Sequence, residues 1–232
     1  METDNVFVER EAWLKARLAL LKEEKAFTRQ RDALSQARRA LPMVQVDQDY
    51  RFATERGQES LADLFKGTGQ LIVYHFMFGA DWQEGCPSCS FWLDNIDGVQ
   101  SHLAARDTAF VSVSTAPLAT LLTYKKRMRW SFDWVSCGSG PFNRDFGVTF
   151  PGGAPGPTDG YNYTGRVFGE EMPGISVFTR LDSGDIGHSY SCYARGLDML
   201  NGAYHLLDLT PKGRDENDLE FTMAWVKRRD QY

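Results

Sequence analysis

Cysteine is scarce: the chain has four in 232 residues, which excludes the disulfide-dense scaffold of a small secreted domain. No uninterrupted apolar run reaches the length needed to cross a bilayer. Positive charge is not in excess either. A net charge of −5 argues against a general nucleic-acid or anionic-membrane partner, and the main basic run, Lys125-Lys126-Arg127-Met128-Arg129, reads as a solvated helix end. A secretory leader is also missing from the reading: Met1-Glu2-Thr3-Asp4 is acidic and Glu9 to Arg31 is heavily charged. These absences predict a cytoplasmic protein in a reducing compartment. What is present is ordinary for a globular domain, with 42% hydrophobic and 25% charged residues.

Glycine and proline are absent from Glu9 to Leu41, which reads as helix. Trp13, Leu20, Phe27, Leu34 and Leu41 recur at a strict heptad spacing. The companion seam positions, Ala16, Glu23, Gln30 and Ala37, are poor for a full coiled coil. The stripe therefore fits either one or two helices lying on the domain surface or a homodimer through this segment. Residues 1–42 are accordingly assigned to an N-terminal helical arm and 43–232 to the main domain.

Within that domain, Met43 to Val46 and Tyr50 to Thr54 read as short strands, Glu55 to Gln58 as a turn and Ser60-Leu-Ala-Asp63 as a helix start. Leu71 to Phe78 and Ala109 to Ser114 are apolar runs with little alternation, the pattern of strands covered on both faces. Phe91 to Arg106 reads as one amphipathic helix, Pro117 to about Arg129 as another, and Phe132 to Val135 as a third central strand. A long Gly/Pro-rich loop from Gly138 to Gly174 follows, then a hairpin of Gly174–Thr179 with Ile186–Tyr193 and a helix from Gly196 to Leu207. The order predicts an α/β mixed sheet flanked by helices, with the Leu71 and Phe110 strands as parallel neighbours.

The chemistry sits between the first central strand and its helix, in Cys86-Pro-Ser-Cys89. At a helix start, unpaired backbone N–H groups and the positive end of the dipole stabilise a Cys86 thiolate. Pro87 suits the first helical position, where a missing N–H costs nothing. Cys89 lies one turn further in, placed to resolve a mixed disulfide. Zinc is a rival for the pair, but a closed zinc site wants four ligands, and Cys137, Cys192, His102 and His205 show no ligand spacing. No metal and no cofactor is expected. Cys137 and Cys192 read as small buried hydrophobes.

Tyr50-Arg-Phe, Gly57, Ser60-Leu-Ala-Asp63 and Leu71-Ile-Val-Tyr-His-Phe resemble the opening of the peroxiredoxin-like branch of the thioredoxin superfamily. More closely, Tyr74-His-Phe-Met-Phe-Gly-Ala-Asp-Trp with Cys86-Pro-Ser-Cys-Ser-Phe-Trp, Asn143-Arg-Asp-Phe-Gly-Val and Tyr193-Ala-Arg-Gly-Leu-Asp resemble the DUF899 family of bacterial thioredoxin-like proteins. That resemblance covers nearly the whole chain. It implies a thioredoxin-like fold and a dithiol–disulfide oxidoreductase with a redox-active centre at Cys86 and Cys89. It also implies a cis-proline opposite the dithiol, for which Met172-Pro173-Gly174 supplies the candidate Pro173. His75 falls near the position of thioredoxin's buried acid and is either a proton relay to Cys89 or a hydrogen-bonded core residue.

Two features depart from thioredoxin: Gly85 stands where Trp precedes the first cysteine, and Pro-Ser replaces Gly-Pro between the pair. Peroxidase chemistry is disfavoured, because Gly79 to Gly85 lacks the Thr and positioned Arg that it needs. The expected function is thiol–disulfide exchange on a protein or small-molecule disulfide. The alternatives are a non-enzymatic binding module with the dithiol as a redox switch, and a zinc-binding protein.

Overall fold

The computed structural model describes residues 7–232, so residues 1–6 of the expected arm lie outside the described residues. The chain divides into two compact units, with the boundary between Pro42 and Met43. The first is a single helix, α1 (Arg10–Arg39), rather than two. Glu11 in its first turn and Arg38 and Arg39 in its last complement the dipole. Trp13, Leu20, Phe27 and Leu34 are exposed along it, and no residue of the helix is buried.

The second unit carries β1 (Val44–Gln45), β2 (Arg51–Thr54), β3 (Gly57–Ser60), β4 (Gln70–His75), α2 (Pro87–Asp94), α3 (Gln100–Ala104), β5 (Thr108–Ser114), α4 (Leu118–Met128), β6 (Asp133–Ser136), α5 (Phe142–Asp145), β7 (Gly174–Arg180), β8 (Ile186–Tyr193) and α6 (Gly202–Leu207). Among the described residues these strands form one mixed sheet in the order β1-β8-β7-β4-β5-β6-β2-β3. Strands β4, β5 and β6 are parallel, with Ile72 opposite Phe110 and Val113 opposite Val135. The β7–β8 hairpin adds antiparallel to β4. This is a thioredoxin-like α/β sheet flanked by helices and preceded by an N-terminal helix.

Alternation along β4 sorts its side chains onto two faces. Ile72 and Tyr74, followed by Phe76 and Phe78, join the core under α2 and α4, with Trp92, Leu93, Leu121, Tyr124 and Trp134. Leu71 and Val73 join the opposite core, with Phe52, Leu64, Phe65, Phe142 and Phe178. Each fully buried side chain of this size contributes about 1.5–3 kcal/mol, so both faces hold β4 and β5 at the centre. No helix among the described residues is long and apolar enough to cross a membrane.

Several boundaries depart from the sequence reading. The helix expected from Phe91 to Arg106 is two helices joined by a turn that contains Gly98, where Asp97 accepts from the backbone N–H and hydroxyl of Ser131. Gly57 and Gln58 belong to strand β3, since the turn is confined to Glu55-Arg56. Ser60 and Asp63 bond each other reciprocally through side chain and backbone where the chain enters a single 3-10 turn, Asp63–Phe65. β4 stops at His75, where its partner β7 begins at Gly174. The expected helix from Gly196 to Leu207 is a 3-10 segment, Ala194–Leu200, followed by α6, whose N-cap Asn201 accepts from Tyr204 N–H.

Candidate functional site

The chain leaves β4 through Phe76, Met77 and Phe78, loops out, and returns so that Cys86 N–H donates to the Met77 carbonyl at 3.2 Å. Gly85 makes this return possible. A Cβ there would lie 2.7 Å from the Phe76 ring and 3.0 Å from the Tyr124 ring, so any side chain would push the loop off the core. Cys86 is the N-cap of α2, and Pro87 occupies the first turn as the spacing predicts.

Sulfur positions follow from that cap. Cys86 is partly exposed and Cys89 is buried, both as free thiols. The Cys86 thiol is pulled down to about 6, first by a hydrogen bond from Cys89, against the opposing effect of burial, and further by the backbone N–H groups of Cys89 and Ser88 and the Ser88 hydroxyl. The Cys89 thiol is pushed well up, mainly by burial and then by the adjacent Cys86 sulfur. Tyr74, on the β4 face below, hydrogen-bonds to Cys89, and the Met77 backbone supplies a second contact. These contacts run in one line, from the Tyr74 hydroxyl to the Cys89 thiol to the Cys86 sulfur.

Other groups hold the cap in place. Ser90 donates to the Cys86 carbonyl at 2.8 Å and shares a 2.9 Å hydrogen bond with the Tyr124 hydroxyl. From the far end of the chain, Arg228 donates to the Gly85 carbonyl at 2.7 Å and to the Tyr124 hydroxyl at 2.9 Å, and pairs with Glu84 at 2.9 Å. One guanidinium therefore ties the C-terminal segment to the loop immediately before the first cysteine. A cavity of about 690 Å³ opens on the Cys89 side, lined by Tyr74, Met77, Cys89, Pro173, Leu197 and Arg214 among others.

Of the four residues singled out from sequence, the structure brings three together: Cys86, Cys89 and Pro173. The Met172–Pro173 bond is trans, contrary to the expected cis bond, as no described peptide bond is cis. The backbone here runs straight into β7 and requires no turn. Met172 N–H donates to the Val148 carbonyl at 2.8 Å and the Pro173 carbonyl accepts from the Tyr161 hydroxyl at 2.7 Å. Gly174 then passes so close to Tyr193 that a Cβ would lie 2.7 Å from its ring.

His75 is not brought to the dithiol. It lies on the opposite face of β4 from Tyr74, buried against Phe142 and Phe146. Its ring nitrogens are both 2.9 Å from partners, Asn143 Oδ1 and Ser176 Oγ. Burial holds it neutral, with its pKa lowered to about 4. The β4 side chain that reaches Cys89 is Tyr74, one residue earlier. Period-two alternation along β4 carried that signal, because Tyr74 shares the parity of Phe76 and Phe78 beneath the dithiol. Arg228 had no sequence signal at all, since its contact spans 143 positions.

Cys192 lies opposite Ile175, which is opposite Tyr74, so all three share one row across the sheet on the dithiol's side. Cys137 is buried on the other side, its thiol raised to about 12, chiefly by burial. Among the described residues, no three His, Cys, Asp or Glu side chains gather where they would hold a metal ion.

The family described as "Bacterial protein of unknown function (DUF899)" matches residues 1–232, and the chain belongs to that family. No curated protein matches the chain. Among solved structures, it is similar to peroxidoxin BcpB from Mycobacterium tuberculosis, at 15% identity over 69% of this chain and 96% of that one, with a TM-score of 0.49. A mutant of peroxiredoxin Q from Xanthomonas campestris aligns at 13% identity over 72% of this chain and 98% of that one, with a TM-score of 0.48.

Proposed function

We propose that this member of the DUF899 family is a thiol–disulfide oxidoreductase whose working pair is Cys86 and Cys89. The observation that carries the reading is the asymmetry of the pair: a partly exposed Cys86 with a pKa of about 6 at a helix N-terminus, next to a buried Cys89 thiol. At neutral pH such a pair holds one thiolate and one proton.

In the first step the Cys86 thiolate attacks one sulfur of a disulfide. A Cys86–substrate disulfide forms, the substrate S–S bond breaks, and the leaving thiolate takes a proton from solvent. The charge that opposed ionisation of Cys89 is now gone, while the Tyr74 and Met77 donors remain. Cys89 therefore gives up its proton to solvent and attacks Cys86 Sγ. The Cys86–Cys89 disulfide forms and the second substrate thiolate leaves. Two electrons have passed from the dithiol to the substrate, and an external dithiol restores the pair. Pro173, on the cavity wall beside Cys89, is proposed to orient the incoming disulfide through its neighbouring backbone.

The experiment is turnover of a small disulfide with a dithiol reductant, followed by trapping. Cys86→Ser should abolish reduction, and Cys89→Ser should accumulate a mixed disulfide on Cys86 that mass spectrometry identifies. Retained turnover without Cys86 refutes the proposal. Redox-dependent binding of a partner without turnover would make the dithiol a switch instead, and stoichiometric zinc released by thiol modification would make it a metal site.

We also propose that α1 pairs with its counterpart in a second copy. Its apolar heptad is symmetric about Phe27, so an antiparallel pair sets Leu20 against Leu34 and brings Glu23 to Arg31. Light scattering should show a dimer that Phe27→Glu converts to monomer; a monomeric wild type refutes it.

A further inference from the structure

A second cavity, of about 680 Å³, shares Met77 with the one that Cys89 lines but has neither Cys86 nor Cys89 on its walls. Its walls come from the segments that follow all three parallel strands: Gly79 to Trp82 after β4, Thr115 after β5, and Gly138 to Pro141 after β6. A crevice beyond the carboxyl ends of parallel strands is where open α/β sheets bind ligands.

The group that distinguishes this cavity is Glu171. Thr115 Oγ1 lies 2.9 Å from its Oε1, but the same hydroxyl is 3.1 Å from the Phe78 carbonyl, so its one proton is divided between two acceptors. Thr149 Oγ1 reaches Oε2 only at 3.3 Å. Among the described residues no ion pair involves Glu171, and the one basic side chain on the walls, Arg144, pairs with Asp145. Asp81 and Glu170 add negative charge to the lining, and the buried Cys137 thiol adds none while protonated. Burial is accordingly the main reason that the Glu171 pKa rises to about 7. The carboxyl sits in a cavity with too few donors and no cation.

Trp82 supplies the remaining wall. Its indole covers Gly79, where a Cβ would meet Nε1 at 2.8 Å, and it remains 38% exposed. An aromatic side chain that lines the same cavity as a carboxylate with no cationic partner is an arrangement suited to an organic cation. A bare metal ion fits less well, because no three acidic, histidine or cysteine side chains converge there among the described residues.

We propose that this cavity binds a small organic ammonium, with Glu171 as its counter-ion and Trp82 as its aromatic wall. The site is separate from the dithiol and does not depend on the redox reading. Binding is non-covalent: the ammonium keeps its proton, and Glu171 releases its own to solvent as it ionises.

The test is calorimetric titration of the full chain with benzylamine, a cation at every pH used, and with benzyl alcohol as its neutral counterpart. Benzylamine should bind one-to-one and about tenfold more tightly at pH 8 than at pH 6, following ionisation of a carboxyl with a pKa of about 7. At pH 6 the measured heat should vary with the buffer, because a proton is released. Glu171→Gln, which mimics the neutral acid, should weaken binding at pH 8 at least tenfold and remove the pH dependence. Trp82→Ala should weaken binding while leaving the pH dependence in place, and it keeps the proposal testable should the Gln variant fail to fold. No saturable binding to the wild type, equal binding of benzyl alcohol, or pH dependence that survives in Glu171→Gln would each overturn the proposal.

Discussion

Replacing Cys89 with alanine should raise the Cys86 pKa, and the size of the change follows from the site. Cys86 sits at about 6, against an ordinary thiol value of 9.0, and the largest single cause is the hydrogen bond from the Cys89 thiol. A hydrogen bond to a charged group contributes about 1.5–3 kcal/mol, and one pKa unit corresponds to about 1.4 kcal/mol. Losing that bond should therefore move Cys86 up by about 1–2 units, with the helix N-terminus and the Ser88 donors still holding it below a free thiol. At pH 7 the thiolate fraction would fall from about nine-tenths to between about one-half and one-tenth. Serine at the same position keeps an O–H donor and should leave the pKa low. The assay is the rate of iodoacetamide alkylation against pH in a Cys137→Ala, Cys192→Ala background, with thiolate absorbance as a second readout. An alanine variant whose Cys86 still titrates near 6 would show that the backbone N–H groups alone suffice. A wild-type value near 9 would refute the electrostatic argument.

Tyr74→Phe should slow resolution of the mixed disulfide several-fold, measured by stopped-flow release of the second thiol, with a smaller effect on first-step alkylation of Cys86, because its hydroxyl hydrogen-bonds to Cys89. Arg228→Met should loosen the loop before Cys86, seen as faster hydrogen exchange at residues 82–86, with Lys at the same position failing to restore it because one ammonium cannot reproduce the fork to Gly85, Tyr124 and Glu84. His75 has its folded pKa depressed to about 4 by burial, so the stability it contributes is present above its unfolded value of 6.5 and is lost as pH falls towards 4. His75→Gln should flatten acid unfolding across that window and leave disulfide reduction intact; a large loss of turnover would revive the relay. Glu171 has the opposite sign. Its folded pKa is raised, so its contribution is full below 4.5 and lost as pH rises through about 7, and Glu171→Gln should increase the melting temperature at pH 8 more than at pH 5.

The chain by itself determined the central elements of the fold and the reactive pair, because both are local. Apolar runs without alternation mark β4 and β5, the Gly- and Pro-free stretch marks α1, and Cys-Pro-x-Cys at a strand–helix junction carries its own electrostatic reason. Element ends were less legible wherever a distant group set them. Asp97, in the turn that ends the helix after the dithiol, is tied to Ser131 from another segment, and the trans bond at Pro173 goes with partners from Val148 and Tyr161. Tertiary structure alone decided the second layer of the site. His75, the residue singled out from sequence, is adjacent to Tyr74 in the chain, and strand alternation puts the two on opposite faces, with Tyr74 on the dithiol's side. Arg228 reaches Gly85 because the C-terminal segment folds back along α2, and Glu171 is left without a cation because three strand ends and a loop converge around it. Hydrophobic period and helix capping are written within a few residues, but a hydrogen bond or a missing counter-charge depends on which segments the sheet order brings together.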